Sequence, residues 1–337
     1  MNMELQELDA LPQEILEATP ETLHAILKKP TLVHLTGEKQ QPVFISVLLH
    51  GNEPTGFLAL QKLLKKYDQK TLPRSISIFF GNTEAAQYGL RRLDNQPDFN
   101  RVWPGTELED CNETRLMQTI FDKIQARQPF ASIDIHNNTG LNPHYACINK
   151  LDSPFLQLAS LFGRLIVFFT RPEGVQSNAF AKICPAVTLE CGRPGQQYGV
   201  EHAFEYLDSC LHLTELTDHP VASRDIAVYH TVAQVKIKEN IHFGFDDPDA
   251  ELLLDKDLEK LNFTEIQQGT RFGIVKDPNC QPLEVINENG QSVTEQFFKI
   301  TDHELQNKRP TMPSMLTLDE KVIRQDCLCY LMEKIEI

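Results

Sequence analysis

The sequence predicts an α/β fold, with a larger domain built on a mixed sheet and a smaller β-rich domain behind it. Three features carry this expectation. Apolar, β-branched runs at residues 42–49, 75–80, 131–135 and 186–189 have the length of buried strands, and segments of helical periodicity lie between them. Leu32-Val33-His34-Leu35 precedes Gly37-Glu38-Lys39-Gln40-Gln41, which reads as the turn of a hairpin and so adds an antiparallel pair. Near residue 218 the helical rhythm stops and short alternating runs take over.

In chain order, residues 1–30 read as one or two short helices, with capping chemistry at Thr19 or Thr22. Leu32–Leu35 is the first expected strand. The run Pro42–Leu49 gives way to His50-Gly51-Asn52-Glu53 and then to a helix from Phe57 to Lys66. Ser75–Asn82 is the next strand. Residues 84–112 have little periodicity and many polar groups, and a long irregular segment inside a compact domain is usually functional. Thr114–Arg127 reads as a helix with Leu116, Ile120, Phe121 and Ile124 on its apolar face. A strand at Ala131–His136, a helix at Pro154–Leu161, strands at Leu165–Phe169 and Ala186–Glu190, and a helix at Val200–Leu213 follow. Beyond them come short strands at Ala227–His230, Gln234–Ile237, Phe272–Val275 and Leu328–Met332, and Asn289-Gly290 marks a hairpin turn. The expected domains are therefore residues 1–217 and 218–337.

The chain has 337 residues, 41% of them hydrophobic, which is enough for a sizeable core. A net charge of −15 argues against a nucleic-acid or anionic-membrane surface. No apolar run approaches the ~20 residues that span a bilayer, and no secretory n-region and apolar h-region opens the chain. The eight cysteines are scattered, and Cys147, Cys184 and Cys210 lie in apolar runs. They read as buried thiols in a reducing cytoplasm rather than a disulfide framework. Cys327-x-Cys329 lacks a second pair, so packing explains it better than a zinc ribbon.

The chemistry concentrates where buried strands end. His50 and Glu53 lie three residues apart in a strand-to-helix loop, and the carboxyl edge of an α/β sheet is where ligands bind. Catalytic zinc is often held by two His and one Glu with a water. His136 ends another apolar strand and supplies the second imidazole. Each residue alone would more often be a cap or a satisfied core group; together, at strand ends, they suit one zinc ion per chain. Asp134 points to the same side of its strand as His136 and could orient a neighbouring ligand. Glu190 also ends an apolar run, where an unpaired carboxylate would be costly, and suits a general base beside the metal.

These residues resemble the zinc carboxypeptidase superfamily, and within it the succinylglutamate desuccinylase and aspartoacylase branch. The resemblance rests on His50-x-x-Glu53 with Gly51-Asn52 directly after His50, on Asp134-Ile135-His136-Asn137-Asn138-Thr139, on Glu190 before Gly192, and on Asn82, Arg91 and Asp98-Phe99-Asn100-Arg101. It covers residues 40–215 well. It implies a zinc-carboxypeptidase-like α/β/α domain followed by a β domain that narrows the entrance. It also implies that Glu190 is the catalytic base, that Arg91 polarises the scissile carbonyl, and that Asn100 and Arg101 receive a substrate carboxylate. Arg92 is adjacent and competes with Arg91 for that place. An Arg expected shortly before the Glu190 strand is missing from Ser177–Lys182, leaving Arg171 and Arg193 as the nearest substitutes, and Phe297-Phe298 stands where a substrate Tyr is expected.

The expected activity is zinc-dependent cleavage of an amide in an N-acyl amino acid or similar small carboxylated amine, in the cytoplasm. A peptide-trimming metallocarboxypeptidase is the rival enzyme. A catalytically silent metal-binding or ligand-binding protein is the rival from another class, disfavoured by the complete set His50, Glu53, His136 and Glu190. Oligomeric state is not readable from the chain.

Overall fold

The computed structural model describes residues 4–337, which divide into two compact units. The first comprises residues 4–137 and 144–227, and the second comprises residues 138–143 and 228–337.

In the first unit the elements are β1 (Gln6–Leu8), α1 (Pro20–Leu27), β2 (Thr31–Leu35), β3 (Gly37–Val47), α2 (Thr55–Lys66), β4 (Leu72–Phe80), α3 (Thr83–Ala86), α4 (Asn112–Ala126), β5 (Ala131–His136), β6 (Tyr145–Ile148), α5 (Ser153–Ser160), β7 (Leu165–Phe168), α6 (Gln176–Phe180), β8 (Ala186–Glu190) and α7 (Gln197–His212). The strand order is β1-β2-β4-β3-β5-β8-β6-β7. The four central strands β4, β3, β5 and β8 are mutually parallel, whereas β2 on β4 and β6 on β8 are antiparallel. Central strands covered on both faces must be apolar throughout, and Val43, Phe44, Ile45, Val47, Ile133, Val187 and Leu189 are fully buried. Phe44, Phe79, Trp103, Phe121 and Phe180 meet edge-on or tilted in the core beneath β3 and β4.

The mixed sheet is present, but not through the expected hairpin. Residues 37–41 are not a turn; they begin β3, and β2 pairs with β4 instead of β3. The antiparallel neighbour arrives from 41 to 49 residues downstream, a non-local pairing that turn chemistry cannot announce. At the amino end the helices are joined by an unexpected strand, β1, parallel to β2. Thr22 Oγ1 accepts the Thr19 amide at 2.9 Å, so the expected capping is there. β6 and α6, each short, carried too little periodicity to stand out.

In the second unit the elements are β9 (Ala227–Ile237), β10 (Phe243–Gly244), β11 (Leu252–Leu254), β12 (Arg271–Val275), β13 (Leu283–Asn287), α8 (Thr294–Phe297), β14 (Phe298–Thr301), β15 (Glu304–Asn307), β16 (Met312–Ser314), α9 (Glu320–Gln325) and β17 (Cys329–Ile335). β13, β9, β17 and β16 pair antiparallel in that order, and a second sheet runs β10-β11-β12-β15-β14. The two runs read as separate strands at 227–230 and 234–237 are one strand, β9. One apolar core, including Val235, Leu252, Phe272, Val285 and Leu331, serves both sheets. Phe297 and Phe298 are part of it, so the residues standing in place of a substrate Tyr are packing residues.

All eight cysteines are free. Burial pushes the Cys184 and Cys210 thiols up to about 12, which keeps them unreactive. No helix among the described residues is long and apolar enough to cross a membrane.

Candidate active site

Parallel strands bring their carboxyl ends to one edge of the sheet, and there the polar residues gather. In register, Val47 of β3 faces Ile135 of β5, and His136 faces Glu190 of β8. Three segments distant in sequence therefore deliver His50, His136 and Glu190 to adjacent strand ends.

The β3–α2 loop has a built shape. Leu48 leaves the strand at φ 58°, a left-handed conformation that a branched side chain adopts at a cost of about 1 kcal/mol or more. The Glu53 amide donates to the His50 carbonyl at 3.1 Å, closing a turn that puts both side chains on one side. Gly51 is required: a Cβ there would lie 2.2 Å from the Ala86 nitrogen. Its amide donates to the Arg91 carbonyl at 3.1 Å, which ties the irregular segment to the loop.

His50, Glu53 and His136 form the one cluster of buried potential metal ligands found among the described residues. His50 Nδ1 is 2.9 Å from Glu53 Oε1, His136 Nδ1 is 2.8 Å from Glu53 Oε2, and the two Nδ1 atoms are 3.2 Å apart. Each imidazole has a carboxylate behind it. His50 Nε2 is 2.8 Å from Asp98 Oδ1, and His136 Nε2 is 2.6 Å from Asp134 Oδ2. Asp134 is itself fixed by the Ser46 hydroxyl at 2.6 Å. Such carboxylates hold the Nε2 proton and direct the Nδ1 lone pair at the centre, the arrangement that orients a metal-ligating His.

Electrostatics follow from this packing. Burial alone would raise the Glu53 carboxyl, but His50 and His136 outweigh it and hold the group far below the usual carboxylate range. Burial would likewise raise Asp98, and His50 and Arg91 bring it well below. Burial disfavours a charged His136, yet Asp134 and Glu53 outweigh that and carry it well above the ordinary histidine value. A divalent cation bound here would compete with the proton that this environment favours on His136.

The structure brings Arg91 to the cluster and takes Arg92 away. Arg91 Nε and Nη2 donate to Asp98 Oδ2 at 3.1 and 2.9 Å, and its Nη1 reaches Glu53 Oε1 at 3.4 Å. Arg92 Nη1 donates to the Gln96 carbonyl at 2.7 Å. Asn100 Nδ2 is 3.2 Å from His136 Nε2, and its Oδ1 accepts the Gln176 amide, which fixes which end of the amide faces the histidine. Arg101 is half-buried, with Nη1 donating to the Asn100 carbonyl at 2.8 Å. Asn82 serves structure: Oδ1 caps α3 at the Ala85 amide and Nδ2 donates to Gln96 Oε1. Of the two candidate substitutes for the missing Arg, Arg171 pairs with Glu107 at 3.0 Å, and Arg193 follows Gly192 on the turn after Glu190.

Asp98 opens the motif that ends in Asn100-Arg101, but its place behind His50 is set by a contact 48 positions away that the sequence does not display. The same holds for Asn137, which reaches Glu53, Thr55 and Gly192. Its neighbour His136 drew the chemistry, and nothing in its own residue type announces three partners.

Comparison with known proteins places this geometry. No curated protein sequence matches the chain. Residues 39–203 match the model of the succinylglutamate desuccinylase/aspartoacylase catalytic domain. Among solved structures, the succinylglutamate desuccinylase of Vibrio parahaemolyticus is similar with a TM-score of 0.62 at 13% identity, covering 97% of each chain. That of Chromobacterium violaceum is similar with a TM-score of 0.59 at 16% identity, over 91% of this chain and 89% of the other. Murine aminoacylase 3 gives 0.59 at 14% identity, over 90% and 98%. At these identities the structures speak for the fold. The matched stretch holds His50, Glu53, Arg91, Asn100, Arg101, His136 and Glu190, and residues 39–203 are thus a domain of the succinylglutamate desuccinylase/aspartoacylase catalytic type.

Proposed function

We propose that the protein is a zinc-dependent hydrolase that cleaves the amide bond of an N-acyl amino acid or a similar small carboxylated amine. One observation carries the reading: two imidazole Nδ1 atoms and the Glu53 carboxylate converge at 2.8–3.2 Å, each imidazole backed by a carboxylate. Neighbouring donors on a tetrahedral zinc with bonds of ~2.0–2.1 Å stand about 3.3 Å apart, so this donor set fits the ion in spacing and chemistry. His50, Glu53 and His136 would hold it.

Zinc in that place supplies Lewis acidity and makes a nucleophile available near neutral pH. The remaining work falls to the chain. Glu190, on the strand beside His136, takes the proton of the attacking water and passes it to the leaving nitrogen. Arg91, anchored on Asp98, turns Nη1 toward the ligand cluster and stabilises charge developing on the carbonyl oxygen. Asn100 and Arg101 receive the substrate carboxylate, for which a planar guanidinium is suited. The guanidinium of Arg101, half-buried in a protein of net charge −15, supplies a local positive charge that selects an anionic substrate.

The test is a hydrolysis screen of the zinc-loaded protein against N-acyl amino acids and short peptides. Turnover of N-acyl amino acids is the expected result. Turnover of peptides alone moves the assignment to a metallocarboxypeptidase, and turnover of neither overturns both.

A further inference from the structure

We propose that Asn137 is a positioning residue that sets the distance between the ligand cluster and the general base, an inference that rests on the role given above to Glu190. Asn137 is buried and follows the last residue of β5. It joins three loops. Its backbone amide donates to Glu53 Oε2 at 3.0 Å. Its Oδ1 accepts the Thr55 amide at 3.2 Å, at the first residue of α2. Its Nδ2 donates to the Gly192 carbonyl at 2.8 Å, two residues beyond Glu190. One side chain thus spans from the loop that carries a metal-type ligand to the turn that carries the base.

A cap for α2 would account for the Thr55 contact alone. The Gly192 contact needs another reason, and the turn itself supplies one. Gly192 has φ +71°, and a Cβ there would come 3.1 Å from His144 Nε2, so the turn is fitted between Asn137 on one side and the His144 ring on the other. The Cys191 amide donates to the His136 carbonyl at 3.0 Å, which continues the β5–β8 ladder one step past Glu190. Glu190 is therefore followed at once by a ladder bond at Cys191 and a side-chain tether at Gly192, which reach back to residues 136 and 137. A general base must be held close to the proton that it takes, and small displacements cost rate steeply.

The geometry separates the two side-chain arms. Asn137→Ala removes both but keeps the backbone bond to Glu53, so zinc affinity measured by chelator competition should stay within about threefold of the parent. Turnover should fall about tenfold or more in kcat with KM little changed. Asn137→Asp keeps the acceptor for Thr55, loses the donor to Gly192, and should be at least as slow as the Ala variant. In a Glu190→Gln background, Asn137→Ala should cost less than about a further twofold, because the group it positions is gone. A merely structural role would instead give losses that add. Recovery of the parent rate by Asn137→Asp, or additive losses in the double variant, would overturn the proposal.

A readout free of turnover decides the tether even if no N-acyl substrate is found. Amide hydrogen exchange across residues 189–196 should accelerate about tenfold or more in Asn137→Ala, with distant strands unchanged. Unchanged exchange there means that Asn137 does not hold the turn. Absence of parent turnover on every N-acyl amino acid fails the functional reading and leaves this measurement standing.

Discussion

The Nδ1 atoms of His50 and His136 stand 3.2 Å apart, although 86 residues separate them in the chain. Each ring is held from behind by its own aspartate, so neither can rotate without losing a buried bond. One tightly bound zinc per chain is expected. Metal analysis of His136→Ala should show its loss, and Asp98→Asn and Asp134→Asn should each weaken binding about 10–100-fold. Parent-like zinc binding in His136→Ala would exclude this ligand set.

Zinc binding should strengthen with pH. The His136 pKa is raised in the metal-free cluster, first against burial and then by Asp134 and Glu53. A raised folded-state value means that the proton stabilises the metal-free fold fully below the ordinary His pKa and ceases to do so as pH climbs through the raised value. The ion competes with that proton. The rise in Tm on adding zinc should therefore be larger at about pH 8 than at about pH 6, read by thermal denaturation at fixed zinc. A pH-independent shift would place the metal elsewhere.

Glu190→Gln should keep fold and zinc yet lose ~10²-fold or more in kcat, since an amide cannot accept the water proton. Parent-like turnover would make Glu190 structural.

Arg101→Ala should raise KM strongly for a carboxylated substrate, and Arg101→Lys should rescue it only in part, because a point charge lacks the guanidinium fork. The matching neutral amide should be a poor substrate for the parent and discriminate little between parent and Arg101→Ala. Equal hydrolysis of acid and amide by the parent would remove this segment from substrate recognition.

Gly51→Ala should destabilise the fold by about 2 kcal/mol or more, because the new methyl meets backbone, which cannot swing aside as a side chain can. Denaturant unfolding measures it, and a loss below about 0.5 kcal/mol would show that the loop adapts.

Much of the site could be read before the structure. Apolar runs that lead into His or Glu are conspicuous because burial and charge conflict there: β5 and β8 end in His136 and Glu190, and the apolar run of β3 continues to Leu49, just before His50. What escaped the sequence was set by partners distant in the chain. β2 pairs with β4 rather than folding back on β3, which no local turn signal reveals. Arg91 and Arg92 are chemically identical neighbours, and the Gly51 bond to the Arg91 carbonyl anchors this segment beside the site. Asp98 and Asn137 act through hydrogen bonds to residues 48 to 84 positions away.

The placement of His50 just past β3 and of His136 at the end of β5 also has a kinetic consequence. No short peptide of this chain contains the ligand set, and a one-residue slip of β5 against β3 would turn His136 to the opposite face. Zinc therefore cannot nucleate folding here as it does in a small finger domain. A zinc ion would meet its ligands only after the long-range parallel pairings have formed, and such pairings form slowly. Refolding should proceed at the same rate with or without zinc, while unfolding should slow as zinc is added, so that the metal acts as a late lock on a sheet already built.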